Sequence, residues 1–224
     1  MLLASRAGLA FTRSSDGKSS WSFSRWQRVD SVVFGGHDII AAECIAEDQV
    51  IMEEVPLLVA ASSDHSVPGW GAHILQAFCS APSQTQAGVL AFSTTGEQEK
   101  SHPGAGQFFE FVCSDIAREV ARCADQPWRR RAATIADSTL STVLCIFHLN
   151  GYAYGRGHSA LYEFGCMLNH SCESNVRYSS SGRRGRGTFV SSRAIATGES
   201  LCTNYLGGYA NMMSTPARRD PLLA

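Results

Sequence analysis

Residues 164–175, FGCMLNHSCESN, constrain what this chain can fold into more than any other stretch. An apolar approach over residues 161–168 turns there into a dense polar run, and the strand-like Asn-Val-Arg-Tyr of residues 175–178 follows. A polar run so bounded belongs at the junction of two elements, where a scaffold holds ligand-contacting groups. Asn169 offers an amide donor and a carbonyl acceptor, and His170 donates from one ring nitrogen while accepting at the other. Cys172 adds a thiol and Asn175 a second amide. Two readings are open at this point: a binding or catalytic turn, and an Asn/Ser-rich turn whose side chains cap their own backbone.

The flanking sequence sorts by pattern. Residues 1–30 carry Arg6, Arg13, Lys18, Arg25 and Arg28 against Asp16 and Asp30, with many serines and an apolar start. That is the composition of an organelle transit peptide, and equally of a disordered leader on a nuclear or cytoplasmic protein; either way it is expected outside the fold. Residues 31–61 read as β: SVVF, a Gly35-Gly36 turn, DIIAAECI, a polar turn over 46–49, then VIMEEVPLLVA, for two or three short strands. Residues 62–107 form a Ser/Gly/Gln/Pro-rich insertion with one apolar patch at 73–78 that reads as a helix. Over residues 108–149 apolar side chains recur at helical spacing, with Pro127 breaking the run, so two helices are expected. The Trp-Arg-Arg-Arg run at 128–131 reads as a solvated helix start. After the polar turn, VRYSS and GTFVSSRAI form two strands joined by SGRRGRG, TGES is a turn and LCTNY a last strand.

Composition removes several classes. With 19 basic and 20 acidic residues, a formal charge of −1 argues against bulk nucleic-acid binding. Eight cysteines without paired short spacing suit a reducing compartment better than a disulfide framework. No apolar run approaches the roughly 18 residues that a membrane-spanning helix needs.

The run at 169–175 resembles the Asn-His-Ser-Cys-x-Pro-Asn signature of SET-domain protein lysine methyltransferases, the SET-and-MYND subgroup above all. Three further pieces stand in the family's order. Residues 36–58 are similar to the first SET segment, and Asn150 with the following Gly-Tyr-Ala-Tyr-Gly is similar to the subgroup's Asn ahead of an aromatic strand. Residues 194–205, AIATGESLCTNY, are similar to the segment that closes the domain. The resemblance implies a SET domain over residues 31–219, with 62–107 as a variable insertion, 108–149 as the helical insert and 220–224 as a tail. The fold it implies is α+β and mainly β: a β-clip of small curved sheets with a C-terminal pseudoknot that brings Asn169, His170 and Tyr205 together.

The chemistry it implies is methyl transfer from S-adenosylmethionine to a lysine of a histone or other protein. Asn169 and His170 would bind the cofactor, with Gly36 and His37 on its opposite side and Asn150 beneath its methionine end. Tyr205 would contact the cofactor and, as the catalytic residue, orient the target amine. Such a displacement needs alignment and exclusion of water more than acid–base strength. The lysine must attack as the neutral amine, from an ordinary pKa of about 10.4, so an apolar aromatic channel helps; Tyr152, Tyr154, Tyr162 and Tyr205 are its candidates. The chain departs from the family at Asp38, where a glycine is usual, and at Ser174, where the signature has proline. Only Cys79 falls in the interval of the zinc-binding MYND module, and no cysteine follows Cys202, so zinc is expected only if a Cys-rich segment follows in a longer form. A degenerate SET domain that binds peptide or cofactor without turnover is the rival expectation. A cysteine hydrolase built on Cys172 and His170 fits poorly, because such pairs converge from separate elements.

Overall fold

The structure, a computed structural model, describes residues 10–13, 19–22, 25–30, 37–61, 67–92, 114–115, 117–118, 127–154, 158–181 and 185–205. In chain order the first elements are β1 (Ala10–Arg13), β2 (Ser19–Ser22), β3 (Trp26–Asp30), β4 (His37–Ala41), β5 (Val50–Glu54) and β6 (Leu58–Ala61). Helices α1 (Val67–Ser80), α2 (Ser83–Leu90), α3 (Pro127–Ala132) and α4 (Asp137–Asn150) follow. Then come β7 (Tyr152–Tyr154), β8 (His158–Leu161), a 3-10 turn (Gly165–Met167), β9 (Asn169–His170), β10 (Val176–Ser181), β11 (Arg186–Ser191) and β12 (Cys202–Thr203). They fall into two units: Met1–Glu53, Met167–Ser179 and Thr188–Leu222 make the first, and Glu54–Cys166, Ser180–Gly187 and Leu223–Ala224 the second.

In the first unit β1 to β4 form an antiparallel meander in sequence order. By sequence, residues 1–30 fall outside the fold; the structure instead pairs all of β3 with β4, Trp26 opposite Ala41 and Asp30 opposite His37. The physical reason is Trp26, 1% exposed, whose burial is worth about 3 kcal/mol, while Asp30 at the end of the same strand stays exposed. Arg25 reaches the Val50 carbonyl at 2.9 Å from the surface. A second sheet has the order β10-β11-β5. Along β11 Gly187, Phe189 and Ser191 are buried and their neighbours are not, the period of two that a half-buried strand requires. The expected 46–49 turn is tight: Asp48 sits at φ 61°, a region that Asp tolerates, and Gln49 Oε1 accepts the Ala46 N–H at 3.0 Å. Beyond β4 the chain keeps bonding to the closing segment, with Leu201 N–H to Ile39 O at 2.7 Å and mutual bonds between Ile45 and Ile195 at 2.9 Å.

The second unit packs α1 and α4 with the antiparallel sheet β6-β8-β7 around Ile74, Leu75, Phe78, Leu140, Leu144 and Leu161. Residues 140, 141 and 143–147 of α4 are all buried, so this helix is covered on nearly every side. Pro127 opens α3, where its missing N–H would have had no partner, and most of the first helix expected over 108–126 lies outside the described residues. A further break separates α3 from α4 at Ala136, which is extended at φ −60° and ψ 139°. Helix α4 ends at Gly151 because a side chain there is barred: a Cβ would lie 2.3 Å from the Phe147 carbonyl oxygen. The apolar patch at 73–78 lies within α1, and residues 83–90 add a helix that composition did not suggest.

Candidate functional site

The site forms where the polar turn meets the closing segment in the first unit. Strand β9 pairs in parallel with β12, Asn169 opposite Cys202 and His170 opposite Thr203, and the Ser171 N–H extends the ladder to Thr203 O at 3.0 Å. Two residues per strand are too few to hold by themselves. Asn175, 3% exposed, supplies the missing hold: Nδ2 donates to Glu199 Oε1 at 3.0 Å and to Ser200 O at 2.8 Å, and Oδ1 accepts the Cys202 N–H at 2.8 Å. Glu199 is itself fixed by Arg193 at 2.6 Å and by the Ala196 N–H at 3.0 Å. The Arg193 guanidinium holds its carboxyl well below the usual range, at about 2, so Glu199 is an anion at any ordinary pH.

On this frame the side chains of Asn169, His170 and Tyr205 come together. Asn169 Nδ2 donates to Asp38 Oδ1 at 3.2 Å, and Asp38 Oδ2 accepts the Ser200 hydroxyl at 2.6 Å. Asp38 Oδ1 also accepts the Ile39 N–H at 2.9 Å. His170 Nδ1 accepts the Tyr205 N–H at 3.1 Å, which leaves the proton of the neutral ring on Nε2, facing Cys172 Sγ at 3.3 Å. The Tyr205 ring lies 5.2 Å from the imidazole, tilted by 52°, and its hydroxyl donates to Leu168 O at 2.6 Å. At 52% exposure that ring is one of the few large apolar groups facing solvent.

The other expected site residues belong to the second unit, are described only by their place in a strand, or lie outside what is described. Gly36 lies outside the described residues, and of His37 only its place is described, first in β4 opposite Asp30. Asn150 belongs to the second unit, where it ends α4 and donates back to the Ile146 carbonyl at 3.0 Å. Tyr152, Tyr154 and Tyr162 belong to that unit too. Tyr162 is fully buried, with Gly187 so close beneath its ring that a Cβ would sit 2.6 Å from Cζ, which makes it a core residue there. Tyr152 packs edge-on to it at 5.7 Å and donates its hydroxyl to Gly165 O at 2.6 Å.

Two functional residues escaped sequence reasoning. Asp38 reads as an anomaly in a glycine turn, yet its carboxylate ties Asn169 to Ser200 across the unit. Asn175 was visible as an amide, but nothing local shows that it spends every bonding group on residues 199–202. Among the described residues no group of three or more His, Cys, Asp or Glu could hold a metal ion, so Cys172 finds no zinc-ligand partners there.

Comparison with known proteins bears on the fold. The chain is similar to the crystal structure of the SET domain of LSMT bound to lysine and AdoHcy, with a TM-score of 0.52 and 14% identity over 82% of this chain and 50% of that one. It is similar also to Rubisco LSMT bound to AdoMet, with a TM-score of 0.52 and 11% identity over 81% of this chain and 48% of that one. At such identities the likeness is one of fold, and the chain spans about half the length of these structures. No curated protein matches it. The family model for the SET domain matches residues 36–206, which takes in β4 through β12 and the whole Asn169–His170–Tyr205 cluster, and the chain therefore belongs to the SET-domain family.

Proposed function

We propose that this chain is an S-adenosylmethionine-dependent protein-lysine methyltransferase acting on a histone or another protein, related most closely to the SET-and-MYND subgroup. The observation that carries the reading is the convergence of Asn169, His170 and Tyr205 on the parallel β9–β12 pair. The residues present suit the cofactor's charge. Among the described residues Asn169 Oδ1 makes no hydrogen bond, so it is an acceptor for an ammonium or hydroxyl donor, and the Asp38 carboxylate beside it favours a cationic ligand. When bound, the cofactor supplies a methyl carbon on a sulfonium. Asn169 and His170 would hold it, with Gly36, His37 and Asn150 as further contacts by resemblance. The Tyr205 hydroxyl donates to Leu168 O, which fixes the ring that by resemblance orients the target amine.

That same bond favours a second reading, a domain that binds without turnover, because it commits the Tyr205 proton to the main chain. One experiment separates the two. The purified chain is titrated with S-adenosylhomocysteine by calorimetry, then incubated with labelled S-adenosylmethionine and a mixed protein substrate. Label recovered as methyl-lysine supports the enzyme; heat of binding without label supports the binding module; neither rejects both.

A further inference from the structure

The turn that feeds the Asn-His strand is tied down from three places in the second unit. Glu54 closes β5 with its carboxylate on the backbone of this turn: Oε1 and Oε2 lie 3.0 and 3.1 Å from the Phe164 nitrogen, and Oε2 lies 3.4 Å from that of Gly165. From β7 the Tyr152 hydroxyl donates to Gly165 O at 2.6 Å. At the end of α4 the Asn150 carbonyl accepts the Cys166 thiol at 3.1 Å. Phe164 is 3% exposed and Glu54 itself is half-buried, so these bonds form away from open solvent.

We infer that Glu54 is a positioning residue whose proton latches residues 164–166, the turn that ends this stretch of the second unit. Burial is the main cause of its raised pKa, about 7, with the Glu163 charge adding to it; the Phe164 and Gly165 N–H groups pull the other way and lose. The remaining titratable neighbour, Cys166, is pushed up to about 12 by burial and stays a neutral thiol. With the proton on Oε1, Oε2 still accepts both N–H groups, and no charge is buried. Without it, a carboxylate sits in a poorly hydrated place and is relieved when the turn opens to water.

The direction follows from linkage. A carboxyl whose closed-state pKa exceeds its solvated value of 4.5 favours the closed turn at acid pH, and that preference is lost as pH rises to about 7. Exchange protection of the Phe164 and Gly165 amides, corrected for intrinsic chemistry, should fall about tenfold per pH unit between about pH 5 and about pH 7 and level off above. Glu54→Gln keeps an acceptor and cannot ionise, so its protection should stay flat at the acid value.

Hydrogen exchange by NMR or mass spectrometry reads all of this on the intact chain. Protection that does not change with pH in the wild type, or that keeps the same slope in Glu54→Gln, overturns the inference; the wild-type slope suffices if the variant does not fold.

Discussion

Asn175→Ala removes three hydrogen bonds at once from the segment that closes the site. Each is worth roughly 1 kcal/mol net, and the Cys202 N–H and Ser200 carbonyl left behind lose a partner in a part-buried setting, so the cost should be about 3 to 5 kcal/mol. For a chain of this length that corresponds to a drop of roughly 10 °C in the thermal midpoint. Asn175→Asp is the sharper test, being the same shape. It turns the donor into an acceptor facing Glu199 Oε1 and Ser200 O, now 3.0 and 2.8 Å away, and Glu199 has no proton to lend at neutral pH. Its cost should therefore match or exceed that of alanine. The assay is urea unfolding followed by hydrogen exchange at residues 200–203, because two units need not unfold together. An Asn175→Ala cost below about 1 kcal/mol, or an aspartate milder than the alanine, would refute the claim that this amide holds the closing segment.

Gly151→Ala should cost about 2 kcal/mol or more, read as a lowered melting temperature, because its Cβ would lie 2.3 Å from the Phe147 carbonyl oxygen and the backbone must move; a neutral result counts against that end of α4. Global stability should peak on the acid side of neutrality. Glu54, raised from 4.5 to about 7, costs up to about 3 kcal/mol as pH rises through that interval, whereas Glu199, lowered to about 2, loses its contribution as pH falls below 4.5. Denaturant titrations across pH check this, and a curve flat between about pH 5 and about pH 7 would contradict the Glu54 part. Nitrogen NMR of His170 at neutral pH should find Nδ1 bare and Nε2 protonated; the opposite tautomer would mean that the Tyr205 N–H is bonded elsewhere.

The part of the site legible in the sequence was the part built from neighbours on the chain. Asn169 and His170 are adjacent, and Tyr205 closes a recognisable segment, so their meeting followed from the resemblance. Asp38 was not legible, because its role exists only through partners 131 and 162 positions away. Composition misled at Trp26, where flanking arginines looked like a leader although a buried aromatic alternates with an exposed Gln27 as in a strand. The tyrosines of 152 to 162 show the limit of residue type: a channel and a core call for the same aromatic side chains, and only the Gly187 contact and the Gly165 bond assign Tyr162 and Tyr152 to packing and anchoring.

The parallel pairing of β9 with β12 also has a bearing on how the molecule is made. During synthesis the Asn-His strand leaves the ribosome well before β12, its ladder partner among the described residues, exists, and it must wait while the β10–β11 hairpin forms. A nascent chain arrested ahead of Cys202 would carry most of the apolar interior and none of the finished site, so competence should arrive late and all at once as translation passes the closing tyrosine.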